Sequence, residues 1–357
     1  MDEEEFRQGY LGYVRHKILF TAVCVILVFV ALAASCLVDG RPIGVLDVYR
    51  IIWEHIMGAT YEYATPEYWD DYVVVQLRLP RAVLAIIAGM GLAVCGVSMQ
   101  SIMSNPLADA YTTGISSGAC LGAIMALAVG FGLTGAMAAG TVTMAFIMAL
   151  VPAMIVIFLS RLIRTTPATL ILIGTAISYL FGSINTMILV YEEGETLSAA
   201  YEWTVGSLNS TLWSDLVLPS LIVSAGCIIM ILMSRRLNVM MAGDDEAQTM
   251  GLDVENFRTL NLLVMSLMVA SIICFTGILG FIGLIAPHIV RMFIGSDNRF
   301  VIPASMALGA CLLLIADIIS RLVIYPYELP VGIILMFVGG PLFLYLVVRK
   351  KDYGGMY

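Results

Sequence analysis

Apolar runs of about 20 residues, each long enough to cross a hydrocarbon core about 30 Å thick as a helix, recur along this sequence between short polar breaks. A bilayer interior offers no water to satisfy peptide groups, so runs of this kind have to be helical. Ten are legible, at 18–38, 82–102, 115–131, 137–159, 170–190, 216–233, 260–279, 282–294, 301–324 and 331–348. The eighth is too short to cross alone, and Pro287 within it predicts a broken or dipping helix. With 60% hydrophobic and 12% charged residues, the chain lacks the polar surface of a soluble globule. The expected fold class is an all-α polytopic membrane protein of about ten transmembrane helices, with 1–357 forming a single membrane domain.

Cationic loops stay on the cytoplasmic side. With the N-terminus inside, most of the 18 lysines and arginines fall in cytoplasmic segments, among them Arg15, Lys17, Arg161, Arg164, Arg235, Arg236, Arg258 and the tail Arg349, Lys350 and Lys351. Both termini are therefore expected on the cytoplasmic side of the cell membrane, as an even number of spans requires. The net charge of -8 speaks against a nucleic-acid partner. Leu32 to Cys36 resembles a lipoprotein cleavage site, but the acidic leader and the full-length span around it argue against processing. All seven cysteines lie in apolar runs without paired spacing, so neither a disulfide nor a metal site is expected. None of the lysines follows a glycine, which excludes a phosphate-binding loop; ATP-driven work would need a separate subunit.

Three longer polar segments interrupt the spans. The first, 39–81, is expected as an external loop, and its Trp53, Tyr61, Tyr63, Tyr68 and Trp69 fit an interfacial belt or a ligand surface. The second, 191–215, is also external and carries Glu192, Glu193, Glu195 and Glu202 with no cation; its 199–208 part could form a short surface helix. The third, 234–258, is cytoplasmic. Gly243 and Gly251 there bracket an acidic stretch with Glu246, Ala247 and Met250, followed by Leu252 and Asp253. That stretch fits a surface helix of about two turns or a solvated loop.

Several constellations could carry function. Arg78 and Arg81, in Arg-Leu-Pro-Arg, and Arg321 lie near outer helix ends, where they could snorkel or meet carboxylates of a partner. Asp317 and Arg321 are spaced to pair along one helix face. Thr175, Ser178, Gly182 and Asn185 recur at intervals of three, four and three, placing a polar stripe on one face of the fifth span. Such a stripe serves helix contacts or lines a path. Gly114, Gly118 and Gly122 form a small-residue stripe suited to close helix packing. The G-x-S-x-G pattern around Ser116 lacks the strand and partner residues of a nucleophile elbow. His288, after Pro287, reads as a helix-start hydrogen-bonding residue, since one histidine does not make a metal site.

The run Gly277-Ile-Leu-Gly-Phe-Ile-Gly-Leu-Ile-Ala-Pro287-His288, followed by Arg291, Asp297-Asn298-Arg299, Asp317, Arg321 and Glu328-Leu-Pro-Val-Gly-Ile333, resembles the FecCD-type permease subunits of ABC importers. The turn Asn105-Pro106-Leu107-Ala108 matches the signature of the family's first half. The resemblance implies a type II ABC importer permease architecture and transport of a bulky metal chelate: iron-siderophore, haem or cobalamin. It also implies a second copy of the chain, two copies of an ABC ATPase subunit and an extracellular or periplasmic substrate-binding protein, with no cofactor. By the same resemblance, Arg78, Arg81 and Arg321 dock the binding protein, and Gly243, Glu246, Ala247, Met250, Gly251, Leu252 and Asp253 couple to the ATPase. Thr175, Ser178, Gly182 and Asn185 line the path at the dimer interface, and Thr165 and Thr166 stand at the inner gate. Ala110 and Asn298 depart from the proline and histidine usual at those positions. The alternative class is an ATP-independent secondary transporter or channel. Ion coupling usually needs ionisable groups inside the membrane, and Asp317 is the only acid read well inside a span.

Overall fold

The computed structural model describes residues 3–38, 43–129, 138–163 and 166–350. Its helices are α1 (Glu3–Leu37), α2 (Val45–Ile56), α3 (Pro66–Asp71), α4 (Leu79–Ile102), α5 (Ile115–Ala128), α6 (Ala138–Leu162), α7 (Pro167–Leu189), α8 (Gly194–Val205), α9 (Val217–Leu232), α10 (Ser234–Met240), α11 (Asp244–Thr249), α12 (Val254–Thr276), α13 (Ile282–Ile294), α14 (Asn298–Leu322) and α15 (Val331–Lys350). Seven helical stretches are long and apolar enough to cross a membrane, and three shorter apolar helices, Ile115–Ala128, Ile282–Ile294 and Val331–Tyr345, complete the set. The architecture is thus all-α and polytopic, with about ten apolar segments.

Two boundaries differ from expectation. The second span starts well before residue 82, because helix is continuous over Pro66–Ile102. Within it, Tyr72–Arg78 is a π-helical turn. In that turn the Leu79 N–H bonds the Val74 carbonyl, five residues back. The equivalent partner for the Val75 carbonyl would be residue 80, a proline with no N–H. The Trp213 indole donates to that carbonyl instead, at 2.9 Å. Much of the expected 39–81 loop is therefore helical. The third span is also shorter than expected: α5 ends at Ala128, about 21 Å of helix at 1.5 Å per residue.

α4 is the central post, packed against α14, α13, α12 and α9, while α5 pairs with α6 and α7, and α12 joins α6 to α4. Glycines set the closest crossings. A Cβ added at Gly89 would meet the Gly309 carbonyl oxygen at 2.4 Å, and one at Gly96 would meet the Gly283 carbonyl oxygen at 1.8 Å. The second crossing has a local cause. Pro287 lies inside α13 and cannot donate to the carbonyl four residues back, that of Gly283. The freed oxygen rests on the Gly96 backbone, a Cα–H···O arrangement. Pro152 in α6 repeats the device, leaving the Met148 carbonyl against Gly118 of α5.

α13 therefore runs through Pro287 from Ile282, and His288 stands mid-helix, not at a helix start as the sequence predicted. One proline near the first turn of a helix removes a single hydrogen bond, and here the freed carbonyl is covered by the neighbouring helix. The start of α13, facing Gly96 and Asp109, lies partway along α4. The preceding link, Gly277 to Phe281, meets the α4–α5 link where the Tyr111 hydroxyl donates to the Leu279 carbonyl at 3.1 Å.

Candidate functional site

The polar groups of this apolar bundle gather at its two ends and along one face of α7. At the end bearing α10 and α11, a hydrogen-bonded network joins four elements. Asn238 of α10 donates from Nδ2 to Asp297 Oδ1 at 2.8 Å and accepts from the Asn298 N–H at 2.7 Å. Asn298, fully buried, donates to Ser101 Oγ of α4 at 3.0 Å and accepts from Arg291 Nη2 of α13 at 3.3 Å. An amide fits where the family resemblance expected a histidine, because it can donate and accept at once. Ser104 donates to the Met240 carbonyl at 2.9 Å, and Arg258 of α12 pairs with Asp244 of α11 at 2.5 Å. Burial would raise the Asp297 carboxyl, but hydrogen bonds from Arg299 and Asn238 outweigh it and hold the group down at about 2.

The residues expected to couple form a compact hook on this end. Gly243, at φ +118°, turns the chain into α11 in a conformation that favours glycine. Ala247, on the inner face of α11, is fully buried, while Met250 is 65% exposed beside Glu246. Gly251 and Leu252 lead to Asp253, whose Oδ1 accepts from the Asn256 N–H at 3.2 Å and caps α12. Close by in sequence, Asn105 makes the turn expected of it, its Oδ1 accepting the Leu107 N–H at 2.9 Å across Pro106. Asn238 and Ser104 carried no signal in the sequence that marked them for this network.

At the opposite end, bearing α2 and α8, the three arginines expected on the surface turn inward. Arg78, Arg81 and Arg321 are 2%, 8% and 3% exposed. Arg78 donates to the Cys36 carbonyl at the end of α1, at 2.8 Å. Arg321 donates to the carbonyls of Ser35 and Val38 and pairs with Asp317 at 2.9 Å. Arg81 bridges Asp317, at 2.8 Å, and Glu328, at 2.6 Å. The physical reason is the set of unpaired carbonyls at the C-terminus of α1, which, with one buried aspartate, supplies a better cradle for guanidinium groups than headgroup water.

α7 stands at the edge of the bundle, with most of its length unburied. Thr166 caps its start by accepting the Thr169 N–H at 3.3 Å; Thr165 lies outside the described residues. The stripe read from sequence splits. Thr175 is exposed and Ser178 half-buried, Gly182 has nothing within 4 Å of where a side chain would begin, and Asn185 is buried with Nδ2 donating to the Ser117 carbonyl of α5 at 3.4 Å. The exposed face carries Thr175, Tyr179, Ser183 and Thr186. Their intervals of four, four and three were available in the sequence. The hydroxyls of Thr175, Ser178, Ser183 and Thr186 each donate to the carbonyl four residues back. That satisfies them within the helix, so polarity alone does not fix which way the helix faces. Among the described residues, no group of three or more His, Cys, Asp or Glu could hold a metal ion.

The profile of the FecCD transport family matches residues 19–349. The chain is a member of the FecCD transport family. Among curated relatives, the hemin transport system permease of Yersinia pestis is 33% identical over 343 residues, covering 96% of this chain and 98% of the relative. The cobalamin import system permease of Halobacterium salinarum is 36% identical over 294 residues, covering 82% of this chain and 78% of the relative. Among solved structures, an inward-facing metal-chelate-type ABC transporter superposes with a TM-score of 0.79 at 26% identity, covering 92% of this chain and 98% of that one. This FecCD-family chain therefore has an ABC importer permease fold.

Proposed function

We propose that this chain is the membrane-spanning half of an ATP-driven importer, working as a homodimer that passes a bulky metal chelate of the iron-siderophore, haem or cobalamin class from a substrate-binding protein to the cytoplasm. In this reading both termini and the α10–α11 end face the cytoplasm, and the α2–α8 end faces outward. Two copies of an ATPase subunit seat on the hook formed by Gly243, Glu246, Ala247, Met250, Gly251, Leu252 and Asp253. The observation that carries the reading is the wiring of that hook. A push on α11 reaches α12 through Arg258–Asp244, and a push on α10 reaches α4, α13 and α14 through Met240, Asn238 and Asn298. Met250, a large apolar side chain 65% exposed on a polar surface, is the natural anchor for a partner.

The exposed hydroxyl face of α7, with Thr175 and Ser178, lines the path where two copies meet, and Thr166 stands at its inner mouth. On the outer side, the arginines Arg78, Arg81 and Arg321 serve docking of the binding protein from beneath, holding α1, α4, α14 and Glu328 in register. Asp317 favours the importer over an ion-coupled carrier, because both of its oxygens are committed to arginines. Co-purification with the ATPase subunit tests the reading. A Met250→Arg variant should lose roughly thirty-fold in affinity, the equivalent of about 2 kcal/mol at an interface anchor. Equal affinity of variant and wild type would remove the hook from the coupling site.

A further inference from the structure

α2, at the α2–α8 end of the bundle, has its faces reversed from those of a solvated helix. Leu46, Tyr49, Trp53 and Ile56 recur at intervals of three, four and three, so they share one face. Each is more than half exposed. The polar residues of α2 find partners within the chain instead. Glu54 accepts from the Tyr61 hydroxyl at 2.6 Å, His55 Nδ1 lies 3.0 Å from Asp71 Oδ1 of α3, and Arg50 pairs with Asp47 at 2.9 Å. A helix whose outer side met water would keep its charged residues there and its apolar stripe on the core.

We infer that α2 is an interfacial helix whose Leu46, Tyr49, Trp53 and Ile56 face is embedded in the bilayer leaflet at this end, where acyl chains give way to headgroups. Depth is the first argument. Val48 and Ile51, on the inner face of α2, pack with Cys36, Val74 and Val75, and Cys36 belongs to the last turn of the spanning helix α1. A helix fixed at the end of a span lies at the border of the hydrocarbon core. Continuity is the second argument. α1, which α2 adjoins, is unburied over most of its apolar length, and Phe29 and Val30, two turns before Cys36, are exposed. Lipid therefore already covers the adjoining surface. Composition is the third: Tyr and Trp, with apolar rings and one polar atom, are enriched at this depth. Exposed Tyr63 and Trp69, their rings 6.4 Å apart, extend the aromatic set beside α2. A second copy is not placed to cover the stripe, because α1 packs on α14, α4 and α13, whereas α7 packs on α5 and α6. That exclusion alone rests on the proposed homodimer through α7. Anchored in this way, α2 holds the turn that carries Arg78 at a fixed depth through Val74 and Val75.

The test attaches a nitroxide spin label to Tyr49→Cys or Trp53→Cys, on the stripe, or to Asp47→Cys, beside it, in the full-length chain with its ATPase subunit in phosphatidylcholine vesicles. The native cysteines are buried and leave the labelling specific. Oxygen concentrates among acyl chains and a nickel chelate stays in water, so the ratio of the label's accessibility to the two reads its depth. The expected ratio of oxygen to nickel access is several-fold higher at positions 49 and 53 than at 47, and it stays the same when binding protein is added. Fluorescence of the unlabelled chain supplies a second measurement: a lipid brominated near the top of its acyl chains should quench wild type more than Trp53→Phe. Nickel access at 49 and 53 equal to that at 47 would overturn the inference, and its loss on adding binding protein would assign the stripe to that partner. Equal quenching of wild type and Trp53→Phe would count against it in the same way. Spin–spin broadening between copies at position 49 would take down the homodimer through α7 as well, whereas water access alone leaves that reading standing.

Discussion

Asp297 and Asn298 show how single residues tie the α10–α11 end together. Replacing Asn298 with alanine leaves Ser101 and Arg291 short of a buried partner, so a stability loss of about 1–3 kcal/mol is expected, read as a lower melting temperature in detergent. The Asp297 carboxyl is held from its ordinary 3.8 down to about 2. A depressed carboxyl contributes stability that is complete above its unfolded value and fades as pH falls through its folded one. Asp297→Asn should therefore melt below wild type at pH 6, with the difference closing only between about 3.8 and 2. A gap that closes already at pH 5 would contradict this wiring. The sequence showed where Arg78, Arg81 and Arg321 stand along their helices but not which way they point. Their partners are remote: Asp317 is 236 residues from Arg81, and Ser35 is 286 from Arg321.

Among elements, the helices themselves were the most legible part of the chain, because an apolar run bounded by polar breaks has only one way to satisfy its backbone in lipid. Less legible were features set by neighbours. The π turn at Tyr72–Arg78 depends on Trp213, far along the chain, and continuity through Pro287 depends on Gly96. On α7 the stripe read from sequence divides between exposed Thr175 and buried Asn185, because hydroxyls that bond back into their own helix leave packing to decide which way it turns. Glycine substitutions separate the two kinds of site. Gly96→Ala places a methyl group 1.8 Å from the Gly283 carbonyl oxygen and should prevent α4 and α13 from meeting, at a cost above the roughly 1–3 kcal/mol of ordinary overpacking. Gly182→Ala, with nothing within 4 Å, should be neutral or stabilising by up to about 1 kcal/mol, the helix-propensity gain. Thermal denaturation of both variants in one detergent checks the pair.

At the scale of the whole molecule, α7 keeps a hydroxyl-bearing face unburied, and in the proposed homodimer that face meets the second copy. A cysteine at Ser183 is expected to cross-link copies across the two-fold axis, whereas the seven native cysteines are all buried and should remain unreacted. The cargo was not legible at any scale, since a loosely fitting path of serine, threonine and tyrosine does not encode which chelate passes. The central claim is that motion at the α10–α11 end, driven by ATP, moves a chelate in from the α8 end. The most direct measurement is uptake of haem, cobalamin and an iron hydroxamate into proteoliposomes that hold the permease with its ATPase subunit and enclosed ATP, with binding protein outside. Accumulation of one chelate that needs both ATP and binding protein, and that orthovanadate stops, is the predicted result. Uptake that proceeds without ATP, or without the ATPase subunit, would contradict the account.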